Sequence, residues 1–184
     1  MSSRDRLLTL LKERSFARKK VILASGRESD FFIDCKQTVL TAEGHALVGE
    51  LMLEAASAEG AKFDAIAGVE LGGCPLASAA ALISFQKGQP RDAVYVRKDA
   101  KDHGSKRLLE GDTKLAPGAT LVILEDVTTT GGSTLKAVAK LREAGYVVKR
   151  VVTLVDRLEG GREAIEAEGL ELRAIYTRRD FIAD

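Results

Sequence analysis

Leu121–Leu135, LVILEDVTTTGGSTL, passes from four apolar residues through two adjacent carboxylates into a turn rich in threonine and glycine. Branched and leucine side chains at Leu121–Leu124 suit a strand buried on both faces, as in the middle of a parallel sheet. Glu125 and Asp126 would then arrive at the carboxyl edge of that sheet, where solvent and ligand meet them. Thr128, Thr129, Thr130 and Ser133 follow with hydroxyl donors, and Gly131 and Gly132 let backbone N–H groups approach an anion closely. A helix beginning near Ser133 would aim its positive end at the same point. An ordinary polar turn has a similar composition. Ligand sites at the carboxyl ends of open sheets favour the cradle over that plainer alternative.

Outward from this stretch, the chain alternates between strand and helix patterns. An amphipathic helix is expected over Ser3–Arg18, with Leu7, Leu8, Leu10 and Leu11 as its apolar stripe, followed by an extended region at Val21–Asp34. A helix near Glu43–Glu59 precedes an apolar strand at Asp64–Val69, which runs into Glu70-Leu71-Gly72-Gly73. Pro75 is placed to open a helix reaching about Phe85. Strands are expected at Ala93–Val96, Thr120–Leu124 and Val147–Val155. This alternation predicts an α/β fold, a doubly wound, mainly parallel sheet flanked by helices. The turns after Val69, Leu124 and Val155 would converge at one edge, within reach of a single ligand.

Two carboxylates beside a bare phosphate would repel it. They make sense facing sugar hydroxyls or a metal ion carried with the phosphates, so the implied ligand is a sugar phosphate. No G-x-x-x-x-G-K-[ST] loop and no G-x-G-x-x-G after a strand is present, which removes the common nucleotide-binding readings. A second chemical feature is the crowding of Arg97, Lys98, Lys101 and Lys106 into a stretch with Gly104 and little apolar content, the pattern of a solvated loop. Cations delivered to a diphosphate as its bond to a sugar breaks stabilise the transition state more than the ground state. Lys101 is the residue assigned that role. The plainer alternative is a charged surface loop neutralised by Asp99 and Asp102.

The apolar strand, acidic pair and Thr/Gly turn together resemble the ribose-phosphate signature of the type I phosphoribosyltransferases. Two further segments resemble the orotate branch of that family: VILASGRESDFFID at Val21–Asp34 and YVRKDAKDHGSKRLLEG at Tyr95–Gly111, the latter similar to its mobile catalytic loop. The resemblance spans most of the chain. It implies a single phosphoribosyltransferase domain over residues 1–184, with a small N-terminal hood of about residues 1–40 that covers the base. It also implies transfer of ribose 5-phosphate from 5-phosphoribosyl 1-diphosphate (PRPP) to orotate, giving orotidine 5′-phosphate and diphosphate in pyrimidine biosynthesis.

Residue by residue, the resemblance implies that Arg97, Lys98, Lys101, His103, Leu71 and Gly72 contact the diphosphate side of PRPP. Glu125, Asp126, Val127, Thr128, Thr129, Thr130, Gly131, Gly132 and Ser133 contact its ribose and 5-phosphate, with Asp126 and Glu125 catalytic beside Lys101 and Asp126 favouring the cationic ribosyl transition state. Phe32 and Ile33 wall the orotate, while Thr129 and Arg157 bind its polar groups, a guanidinium being suited to a planar carboxylate. Without the resemblance, Arg157 reads equally as an ion-pair partner of Asp156 or Glu159. Mg²⁺ is the implied cofactor, ligated mainly by substrate and water with Glu125 and Asp126 nearby. The family forms homodimers, which makes Lys98, and Lys101 as a second candidate, residues acting across the interface. The chain departs from some members at Ala24 and at Leu71-Gly72-Gly73, where they carry lysines.

Composition fits a cytoplasmic enzyme. With 184 residues and 45% hydrophobic content the chain can bury a sizeable core, and 28 Lys+Arg against 27 Asp+Glu make the basic loop a local feature on a neutral background. Bulk nucleic-acid binding is not indicated. Cys35 and Cys74 are isolated and read as free thiols, Cys74 as a small apolar filler. The charged segment Met1–Lys20 has no targeting character, no stretch suits a membrane span, and His45 reads as structural. Two competitors remain: a phosphoribosyltransferase for an uncharged base, which would not need Arg157, and a PRPP-sensing module without catalysis, against which Lys101 argues.

Overall fold

A computed structural model describes residues 1–22, 28–99 and 107–182. Its centre is a six-stranded sheet in the order β5-β4-β3-β6-β7-β8, formed by β3 (Ala65–Val69), β4 (Asp92–Val96), β5 (Leu109–Glu110), β6 (Thr120–Thr128), β7 (Val147–Asp156) and β8 (Glu171–Thr177). All neighbouring pairs are parallel except β4 with β5. Residues 121–125 and 150–156 are buried without interruption, as strands covered on both faces must be.

Alternate side chains feed two cores. Ile66, Val122, Leu124 and Val152 pack with α1 (Ser3–Arg14), α3 (Ala42–Ser57) and α4 (Gly73–Gln86). Ala65, Ala67, Leu121, Ile123 and Val151 pack with α5 (Gly132–Glu143) and α6 (Gly161–Ala167) on the other face. The sheet is therefore doubly wound. From β3 the chain moves outward to β4 and then crosses back to β6 on the other flank. The switch point thus lies between the carboxyl ends of β3 and β6, where crevices form in such sheets.

Several elements differ from the sequence expectations. The first helix stops at Arg14 because Phe16–Ile22 (β1) pairs antiparallel with Glu28–Ile33 (β2), and Ser15 turns inward to hydrogen-bond Thr38 Oγ1 at 2.7 Å. The expected extended region is thus the second arm of a hairpin. The hairpin seats Phe31 in the core against Phe16 and Phe181. Strand β6 does not end at Leu124. It runs through the acidic pair to Thr128, held by pairing of Glu125 with Thr153 and of Thr128 with Asp156 on β7. Finally, β5, α6, β8 and a short helix α2 (Lys36–Val39) were not anticipated. Among the described residues no helix is long and apolar enough to cross a membrane.

Candidate active site

The adjacent acids of β6 interact with each other yet take different partners. Glu125 turns towards α5 and is buried, accepting hydrogen bonds from Thr134 Oγ1 at 3.0 Å and Ser133 Oγ at 3.3 Å. Burial, and next the negative charge of Asp126, push its carboxyl up to about 8. Asp126 is half-buried and turns towards Gly72. Its Oδ1 accepts the Val127 N–H at 2.9 Å, and its carboxylate lies directly over Gly72, where any Cβ would overlap it. The two loops at the switch point therefore touch through Asp126 and Gly72.

After β6 the chain turns through Thr129 and the exposed Thr130 to Gly131, whose φ of 79° is left-handed and suits glycine. Gly131 caps α5 without a side-chain hydrogen bond, so the first-turn N–H groups at Gly132 and Ser133 are open to an anion. The turn rests on Gly161, where a Cβ would press on the Thr129 carbonyl and the Thr128 side chain. Thr128 is accordingly buried. Its Oγ1 has no hydrogen-bond partner among the described residues, and its carbonyl accepts the Arg157 N–H at 3.0 Å.

Arg157 is buried at the end of β7. Its Nη2 lies 2.9 Å from Glu159 Oε1 and donates to the Phe31 carbonyl at 3.1 Å, so the guanidinium fastens the hood hairpin to the main sheet. Asp156 is paired instead with Arg162, at 3.6 Å. Phe32 and Ile33 are half-buried on the same hairpin, with the Lys19 ammonium 3.9 Å from the Phe32 ring centroid.

On the β3 side, the Glu70–Leu71 peptide bond is cis, Leu71 is exposed, and Glu70 Oε2 accepts the Lys98 N–H at 2.8 Å. Arg97, just past β4, pairs through its N–H with the Leu108 carbonyl at 2.9 Å, closing the neck of the basic segment. Lys98 is exposed beside it. Lys101 and His103, with Ala24 and the Ser25-Gly26-Arg27 run, lie outside the described residues.

Sequence reading did not single out four residues that the fold brings here. Lys36 pairs with Asp34 at 2.6 Å; that hydrogen bond, and the charge of Asp126 after it, raise the affinity of its ammonium for the proton. Its signal was position, three residues beyond Ile33. Lys140 lies two helical turns beyond Ser133, on the same face of α5, and Glu70 immediately follows β3. Gly161 left no chemical signal, because its role is to be small. Cys35 and Cys74 are free and buried, and burial lifts the Cys74 thiol to about 11, which suits packing rather than reactivity. His45 hydrogen-bonds the Val39 carbonyl at 3.2 Å, a contact within the fold.

No group of three His, Cys, Asp or Glu side chains forms a metal cage among the described residues. The half-buried Asp126 carboxylate suits a hard cation whose other ligands come from substrate and water.

Residues 39–170 match the phosphoribosyl transferase domain. The chain is 68% identical to the orotate phosphoribosyltransferase of Sorangium cellulosum (strain So ce56), over 100% of this chain and 95% of that protein. It resembles the crystal structure of Mycobacterium tuberculosis H37Rv orotate phosphoribosyltransferase in complex with Fe(III) dicitrate, with a TM-score of 0.82 and 38% identity over 98% of this chain and 99% of that one. The same enzyme in complex with PRPP aligns with a TM-score of 0.79 and 35% identity, again over 98% and 99% of the two chains. The carboxyl-edge crevice between β3 and β6 is thus that of a family relative, and the chain belongs to the orotate phosphoribosyltransferases.

Proposed function

We propose that the chain transfers ribose 5-phosphate from PRPP to N1 of orotate, the C1′–N1 bond forming as the C1′–O bond to diphosphate breaks. The observation that carries this reading is the meeting of Asp126 and Gly72 across the switch point, with the open first turn of α5 on one side and Arg157 beneath the hood on the other. N–H groups at Gly131, Gly132 and Ser133, with the hydroxyls of Thr129 and Thr130, hold the 5-phosphate. Val127 and Thr128 shape the floor of that cradle. Asp126 faces the ribose hydroxyls and favours positive charge developing at C1′. Glu125 acts from the α5 side, fixing Ser133 and Thr134 and so the cradle itself.

Leu71 and Gly72 offer backbone to the diphosphate, while Arg97, Lys98, Lys101 and His103 neutralise it as it leaves. Phe32 and Ile33 wall the base, and Thr129 and Arg157 read its polar groups. Bound with the substrate, Mg²⁺ would neutralise diphosphate charge, with Asp126 as the protein carboxylate nearest to hand. Excluding water is part of the task, since a ribosyl cation open to solvent would be hydrolysed. The chain works in the cytoplasm as a homodimer, with Lys98, and Lys101 as a second candidate, reaching the neighbouring site.

The test is a panel of bases incubated with protein, PRPP and Mg²⁺. Orotate alone should be consumed, and a chelator should abolish turnover. Consumption of adenine, hypoxanthine or uracil in preference to orotate would contradict the assignment, and PRPP binding without consumption of any base would favour a sensor.

A further inference from the structure

The segment that leaves β4 loses its place in the sheet at Arg97, yet its backbone remains tied from two sides. Lys140 on α5 donates from its ammonium to the Arg97 carbonyl at 2.7 Å and to the Lys98 carbonyl at 2.6 Å. Glu70, in the loop after β3, accepts the Lys98 N–H. Hydrogen bonds to a charged partner are about twice as strong as neutral ones. One ammonium gathering two successive carbonyls fixes the peptide planes on both sides of Lys98, and with them the directions of the Arg97 and Lys98 side chains.

The arrangement carries an electrostatic cost that calls for a reason. Arg97, Lys98, Lys136 and Lys140 all line one cavity of about 340 Å³, with Ser133 at its α5 end and Asp99 as the one acid among its described lining residues; Glu110, 3.7 Å from the Arg97 guanidinium, and Glu70, bonded to the Lys98 N–H, offset part of that charge from outside the cavity. Four cations against fewer neighbouring acids leave the cavity net positive, a field that favours an incoming anion. Any neutral side chain at position 140 would relieve that repulsion, but it could not donate to both carbonyls while keeping the field positive.

The geometry points to Lys140 as a positioning residue for PRPP: it sets the backbone of Arg97 and Lys98 against the diphosphate and, with Glu70, couples that segment to the α5 cradle and the β3 loop. This rests on the reading that Arg97 and Lys98 contact the diphosphate. Three elements that handle PRPP, in this subunit's site or its neighbour's, thereby move as a unit, so a fault at position 140 is felt as weaker PRPP capture and not as weaker orotate capture.

Steady-state kinetics on the full chain test this, with Lys140→Met, Lys140→Arg, Arg97→Met and Lys98→Met compared with the parent. Lys140→Met should raise KM for PRPP about tenfold, the order expected for losing charge-assisted hydrogen bonds. KM for orotate and the thermal midpoint should stay unchanged, and Lys140→Arg, which can still donate to two carbonyls, should restore KM to within about threefold. An unchanged KM for PRPP in Lys140→Met, while Arg97→Met and Lys98→Met raise it, would overturn the inference and leave the site reading intact. Equal losses for both substrates with a lowered thermal midpoint, not restored by arginine, would make Lys140 merely structural and also overturn it. If Arg97→Met and Lys98→Met themselves leave KM for PRPP unchanged, the site reading falls and takes this inference with it.

Discussion

Glu125 and Asp126 have the same chemistry and neighbouring positions, but the strand that carries them gives them different work. Glu125 is buried with its carboxyl raised to about 8, so the folded chain holds a proton there that the unfolded chain releases near 4.5. Between those values the folded state binds more protons, and stability must fall as pH rises through that window, by up to about 1.4 kcal/mol per pH unit. Glu125→Gln should remove this slope: denaturant melts at several pH values should show the variant gaining on the parent from pH 5 to 8. Parallel curves would mean that Glu125 is already ionised in the folded chain. Gly72 offers a second test at this scale. A Cβ there would displace the Asp126 carboxylate, so Gly72→Ala should lower kcat about tenfold with little change in thermal midpoint, as for a catalytic group moved out of position. The acid pair was legible in the sequence as chemistry, but its orientation was not. Polar residues after Leu124 looked like a turn, whereas pairing with β7 carries the strand four residues further and gives the two carboxylates different partners, Thr134 for Glu125 and the Gly72 loop for Asp126.

At the scale of elements, the strongly patterned segments matched their sequence reading. Helix α3 is capped by Thr41, which accepts the Gly44 N–H at 3.1 Å, and the buried strands β3, β6 and β7 each ran close to their expected starts. The hood was harder to read, because local helical patterning through Arg18 competed with a hairpin defined only by its partner strand. Strand β8 was missed for a similar reason. Alternating charge in Glu171–Thr177 hides a strand whose Arg173 pairs with Glu59 and Glu171, while Leu172 and Tyr176 are buried. Phe31 joins hood to core, and Arg157 is tied to its carbonyl. Phe31→Ala should cost about 3–5 kcal/mol, read from the denaturation midpoint, and should raise KM for orotate more than KM for PRPP because the base wall shifts with it. A loss of stability with both KM values unchanged would separate the hood from base binding.

For the whole molecule, the alternation of strands and helices foretold a doubly wound sheet, and the strand order supplies what the sequence could not: which two loops face each other. Contacts 40 or more residues apart, such as Lys140 with Arg97, are set by that order and leave no local trace. Assembly is tested at the same scale. If Lys98 acts across a dimer interface, mixing Asp126→Asn with Lys98→Met subunits should restore about a quarter of parental activity. Half of the dimers are then mixed, and each mixed dimer keeps one intact site. No recovery on mixing, with each variant alone inactive, would place both residues in the same subunit's site.

Ribosyl transfer in the crevice depends on the Asp126 carboxylate at the β6 edge favouring positive charge at the ribose. Single-turnover rates of orotidine 5′-phosphate formation, with PRPP, orotate and Mg²⁺ saturating, should fall about a hundredfold in Asp126→Asn, while the thermal midpoint stays close to that of the parent. An undiminished rate in that variant would place the ribosyl transfer somewhere other than the crevice between β3 and β6.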